Sequence, residues 1–150
     1  MTTRRKKVYD ALTSTMRIDP NSYSALTNSP NRVQSLGYAL AGWLYMLRHQ
    51  KNTRIMALAS IVVFVVALWL QIDFVEWAIL VVAITGVWMA EFLNAAVEAV
   101  VNLASPEFHP MAKVGKDVAS AAVLLGVVAS ILIGLLLMGP PLLEKLRILP

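Results

Sequence analysis

Glu91, Asn94 and Glu98 stand at i, i+3 and i+7 in a stretch whose intervening residues, Phe92, Leu93, Ala95, Ala96 and Val97, are all apolar. At 100° per residue the three fall within an arc of about 60° on one helix face, and Asn102, at i+11, extends the same stripe. A carboxylate against hydrocarbon costs roughly 2.5 kcal/mol or more at a bilayer centre. Two on one stripe are therefore expected to face protein, water or a metal. One carboxylate can act as a general base, and a second can hold Mg²⁺ together with an amide oxygen and substrate phosphates. Lys116, beyond the next break in the chain, can offset phosphate charge. Phosphoryl transfer needs little else than positioning, a metal, a cation and a base for the attacking hydroxyl. Glu91 lies about 10 Å deeper along the helix axis than Glu98, a depth that suits the hydroxyl of a lipid. The same carboxylates would also serve a proton or cation pathway, and spacing alone leaves both readings open. The chain has no Walker-type glycine loop, no soluble-kinase catalytic loop and no zinc-protease motif.

The elements that must position these residues read as membrane helices. Of the 150 residues, 58% are hydrophobic, above the roughly 45–50% of a soluble domain, and the mean hydropathy is +0.66. Ile55 to Ile72 is a run of 18 residues without a charge, long enough to cross a bilayer. A second helix is expected from Val75 through the polar stripe to about Ala104. At about 45 Å it exceeds the ~30 Å hydrocarbon core, so its polar end must project into water. Ser105-Pro106 breaks it, and residues 105–117 read as a short polar connection. Val118 to Met138 is a third uncharged run, ended by Gly139-Pro140-Pro141. Ala122, Gly126, Ser130 and Gly134 recur every fourth position in it, a spacing that permits close helix approach.

Ahead of the spans, Ser29 suits an N-cap and Pro30 a first helical position. Val33, Leu36, Leu40, Trp43, Leu44 and Leu47 then form one helical stripe, as in a helix lying on a membrane surface. Residues 1–28 are polar, with a basic cluster at Arg4, Arg5, Lys6 and Lys7, and read as a disordered tail. The expected architecture is thus all-α: a surface helix and three spanning helices in a membrane domain over residues 29–143, with a short tail over 144–150. Nine of the 13 Lys and Arg residues precede the first span. By the positive-inside rule the N-terminus and the 105–117 connection are cytoplasmic, on the side that contains ATP. With no cysteine in the chain, disulfides and thiolate chemistry are excluded. No nucleic-acid partner is expected. Three helices are too few to wall a polar stripe off from lipid, so an oligomer with its sites between chains is the economical arrangement.

Three segments carry a resemblance to a known family. They are Glu91-Phe-Leu-Asn94-Ala-Ala-Val-Glu98, then Glu107-Phe-His109-Pro-Met-Ala-Lys113, then Lys116-Asp117-Val-Ala-Ser120. Together they resemble the prokaryotic diacylglycerol kinase and undecaprenol kinase family over about residues 32–138. The resemblance implies a homotrimer in the bacterial inner membrane and direct transfer of the ATP γ-phosphate to a lipid hydroxyl, with Mg²⁺. By position it implies that Glu91 is the catalytic base, with Asn94 beside it, and that Glu98 binds the metal. Tyr38, Glu98, Glu107, His109, Lys116 and Asp117 match nucleotide-contacting positions, and Ser120 a lipid-contacting one beside Glu91. Gln50 stands where many members have a second metal-binding glutamate, and Asn102 where they have aspartate. These departures also keep open a catalytically weakened member with a structural role. The Ser105-Pro106…Pro110 loop looks more like the undecaprenol kinase branch.

Overall fold

The computed structural model describes residues 32–147, Gln34 by its backbone only. The 1–28 tail and the Ser29-Pro30 helix start lie outside the described residues. Four helices follow in order: α1 (Arg32–His49), α2 (Lys51–Leu70), α3 (Phe74–Ala104) and α4 (Pro110–Lys145). No strand occurs among the described residues. The described residues divide into two compact units, on either side of the Arg54–Ile55 bond.

In the first unit α1 turns its apolar stripe outward. Val33 and Leu36 are 73% and 62% exposed, while Ala41 and Met46 are buried on other faces. An outward apolar stripe is what an interfacial helix presents to lipid. Gln50 joins α1 to α2 as a single non-helical residue, donating its N–H to Met46 O at 2.9 Å and accepting from Arg54 N at 3.4 Å.

α2, α3 and α4 are each long and apolar enough to cross a membrane. α2 starts at Lys51, four residues ahead of the uncharged run, because a helix can carry Lys51 and Arg54 in water and still enter hydrocarbon further on. Its C-terminus is a Schellman motif. Ile72 N–H donates to Ala67 O at 3.4 Å, and Gln71 N–H donates to Leu68 O at 3.2 Å. Gln71 takes the left-handed conformation this requires, at φ 59°. Asp73 then caps α3 in a reciprocal box. Its Oδ1 accepts from Val75 N at 2.8 Å and Glu76 N at 2.9 Å, and its own N–H donates to Glu76 Oε2 at 2.9 Å. Asp73 and Glu76 are therefore structural parts of the turn. Beneath it, Ala67, Leu70, Ile72 and Leu80 form the buried core, flanked by Phe64, Trp77, Met138 and Leu142. Phe64 and Trp77 stack with centroids 5.8 Å apart.

α4 departs from expectation at both ends. It begins at Pro110, so the connection shrinks to residues 105–109, and Lys113, Lys116 and Asp117 lie on the helix. His109 is its N-cap, with Nδ1 accepting from Met111 N at 3.2 Å. At the other end α4 runs through Pro140 and Pro141 to Lys145. The two prolines lack the N–H groups that would bond back one turn. Packing holds the segment nonetheless: Leu142 joins the core cluster, and Lys145 donates to Trp69 O with its ammonium 4.8 Å from the Trp69 ring centroid.

Candidate functional site

α3 and α4 are the closely packed pair, running antiparallel. A Cβ built at Gly126 would lie 3.7 Å from Val87 Cα, an ordinary van der Waals contact, so the two helices pack directly against each other at this point. Of the small-residue series, Gly126 makes this contact, while Ser130 and Gly134 line a groove described below.

Two polar rungs cross the same seam. Ser120 Oγ donates to Asn94 Oδ1 at 3.4 Å, and Lys116 Nζ donates to Asn102 Oδ1 at 2.6 Å. The Val87–Gly126 approach and these rungs fix one register, which puts Glu91 level with Ala122 and Val123 and Glu98 level with the Lys116 turn. Hence the α3 stripe faces α4 rather than lipid along much of its length. Glu91 is 3% exposed. Glu98 is half-buried, and its carboxylate has no hydrogen-bond or ion-pair partner among the described residues. Asn94 is half-buried and Asn102 exposed.

The remaining sequence-predicted residues are distributed around this seam. Asp117 pairs with Lys113 one turn away on α4 instead of crossing to α3. Glu107 is exposed in the α3–α4 connection, where its carbonyl accepts from Ser105 Oγ at 3.0 Å. His109 is exposed and committed through Nδ1 to the helix cap. Tyr38, 47% exposed on α1, and half-buried Gln50 belong to the first unit. No group of three or more His, Asp or Glu side chains converges among the described residues. That arrangement still fits Mg²⁺, which is commonly held by one or two carboxylates together with substrate phosphates. The unpartnered Glu98 offers one such carboxylate.

One turn beyond Glu91, a partly open apolar groove of about 540 Å³ begins. Its walls come from α2, α3 and α4, with Met56, Ser60, Trp88, Val127, Gly134 and Leu142 among its lining. Along α4 it extends from Val127 to Leu142, about 22 Å at 1.5 Å per residue. At the Glu91 end Trp88 Nε1 donates to Ser60 Oγ at 3.2 Å, and Ser60 donates to Met56 O at 2.8 Å. A spacing argument could not have found this groove or the two rungs, since both depend on register between helices. The one available signal was that Asn102 shares the stripe of Glu91.

The match to known proteins is decisive at this point. Residues 37–138 fit the family model described as prokaryotic diacylglycerol kinase. The chain belongs to the prokaryotic diacylglycerol kinase family. Among relatives of this family member, a protein named diacylglycerol kinase from Synechocystis sp. is 37% identical over 117 residues, covering 77% of this chain and 67% of that one. A protein named undecaprenol kinase from Bacillus subtilis is 34% identical over 116 residues, covering 77% of this chain and 94% of the relative. A Pseudomonas aeruginosa protein named diacylglycerol kinase is 33% identical over 105 residues, covering 70% and 85% respectively. The family match covers α3, the α3–α4 connection and most of α4, and with them the whole polar seam.

Proposed function

We propose that this membrane lipid kinase transfers the γ-phosphate of ATP to the terminal hydroxyl of a polyprenol, accepting diacylglycerol less well. The observation that carries the reading is Glu91: a carboxylate 3% exposed, on the α3–α4 seam and one turn from the mouth of a long apolar groove. A lipid whose tail occupies that groove presents its hydroxyl at Glu91. The Glu91 carboxylate accepts the hydroxyl proton as the oxygen bonds to the γ-phosphorus. The bond from that phosphorus to the bridging oxygen breaks, and ADP leaves. Asn94, held by Ser120, lines the approach of the lipid headgroup beside Glu91. Glu98 would hold Mg²⁺, which supplies neutralisation of the nucleotide phosphates. Lys116 meets those phosphates from α4, and Tyr38, Glu107, His109 and Asp117 form the remaining nucleotide surroundings. Gln50 offers the metal a neutral oxygen where a carboxylate would bind more firmly.

The kinase domain spans 29–143 on this reading, in the bacterial inner membrane with its N-terminus and the 105–109 connection in the cytoplasm. The working unit is a homotrimer. Its support is the apolar surface a single chain leaves exposed, such as Leu58 at 65%, Val82 at 71% and Leu136 at 75%, which lipid and neighbouring copies would share.

Discrimination between lipids rests on the groove. An apolar site separates similar substrates by only about 1–3 kcal/mol, so both alcohols should react. The test is kcat/KM for undecaprenol and diacylglycerol in the same mixed micelles. We expect a preference of about 10-fold or more for undecaprenol; a preference for diacylglycerol would overturn the polyprenol assignment. No lipid phosphate product from either alcohol would overturn the mechanism as a whole.

A further inference from the structure

The two lysines of the first turns of α4 are held in different ways. Lys113 is paired with the Asp117 carboxylate on its own helix. Lys116 instead crosses to α3, donating to the Asn102 amide oxygen at 2.6 Å. An ammonium has three N–H donors and an amide carries no charge. Lys116 is therefore anchored through one donor, with two donors and its full positive charge left over. Asn102 lies one turn above the unpartnered Glu98 on the same stripe, about 6 Å along the axis. A triphosphate reaching Glu98 through its metal passes this cation.

We propose that Asn102 is a positioning residue: it aims Lys116 at the nucleotide phosphates from the opposite helix. A free lysine side chain loses rotamer entropy when it is fixed in one position, and the Asn102 anchor settles that loss before the nucleotide arrives. Without the anchor, the ammonium spends most of its time in water, and ordering it is charged against ATP binding. Asn102 itself touches no reacting atom. The proposal rests on the reading that Lys116 meets the nucleotide, and the experiment separates the two.

Four variants of the full-length protein are compared in mixed micelles, with KM for ATP and kcat measured separately: Asn102→Leu, Asn102→Asp, Lys116→Met and the double variant Asn102→Leu/Lys116→Met. Asn102→Leu is expected to raise KM for ATP about three- to tenfold with kcat changed less, because it removes an anchor and not a reacting group. Asn102→Asp keeps an acceptor at the same place and is expected to hold KM within about threefold of the parent. Lys116→Met is expected to raise KM further, and Asn102→Leu should add nothing in that background, as coupled residues behave in a double-mutant cycle. If Lys116→Met leaves KM for ATP unchanged, the placement of Lys116 at the nucleotide is wrong. If Lys116→Met raises it and Asn102→Leu does not, the positioning role is wrong. An equal effect of Asn102→Leu in both backgrounds would assign Asn102 a general structural role and likewise overturn the proposal.

Discussion

Replacing Glu91 by glutamine tests the proposed chemistry most directly, because it keeps shape and hydrogen-bonding reach while removing the proton acceptor. General-base catalysis contributes about 10²–10⁴-fold, or roughly 2.7–5.4 kcal/mol at 1.36 kcal/mol per decade. In an exposed site, water would recover part of that. Glu91 is 3% exposed on the α3–α4 seam, so solvent has little access, and kcat should fall by about 100-fold or more. The helix adds a second expectation. On the reading above the two carboxylates, two turns apart on α3, serve different partners, Glu91 the lipid hydroxyl and Glu98 the metal. Glu91→Gln should leave the Mg²⁺ concentration for half-maximal activity where it was, while Glu98→Gln should raise it. The assay follows radiolabelled γ-phosphate from ATP into lipid across a Mg²⁺ series, with circular dichroism and sedimentation to verify folding and assembly. A Glu91→Gln protein that is folded and retains kcat within about threefold of the parent would refute the base assignment.

Three further outcomes are expected. Gln50→Glu should lower the Mg²⁺ requirement, since Mg²⁺ prefers charged oxygen ligands; an unchanged requirement would remove Gln50 from the metal. Cysteines introduced singly as Lys113→Cys and Glu76→Cys should react with membrane-impermeant reagent from opposite sides of sealed vesicles, and labelling from one side would contradict three spans. Gln71→Gly should stabilise the protein by up to about 1 kcal/mol by relieving the left-handed backbone at φ 59°. Unfolding in mixed micelles measures this, and a loss of stability would mean the Gln71 side chain matters more than its backbone.

The identity of the elements was legible because hydrophobicity and periodicity are local. The second span, expected from Val75 to about Ala104, is observed as Phe74–Ala104. The ends were harder to read because an uncharged run marks what tolerates hydrocarbon, not where a helix starts. Lys51, Arg54, Lys113, Lys116 and Asp117 are helical beyond such runs. Pro140 and Pro141 read as a stop, yet Leu142 in the core and Lys145 on Trp69 hold the helix past them. At the candidate site, one-helix geometry put Glu91, Asn94, Glu98 and Asn102 on a common stripe. What that stripe meets depends on the α3–α4 register, set by the approach of Gly126 to Val87. The Asn102–Lys116 and Asn94–Ser120 rungs were invisible for that reason.

The groove is partly open along its length and lined almost wholly by hydrocarbon. If the lipid tail occupies this groove as proposed, substrate enters sideways from within the leaflet and the phosphorylated product departs the same way, without the tail crossing water. The quantity that governs saturation is accordingly the mole fraction of alcohol in the surrounding lipid film, not its molarity in the tube. Adding inert lipid or detergent at fixed total substrate dilutes the alcohol in two dimensions and slows the enzyme as an inhibitor would. On the proposed reading the rate in a cell follows local membrane composition, so a domain enriched in the alcohol would become a site of fast turnover with no change in the protein.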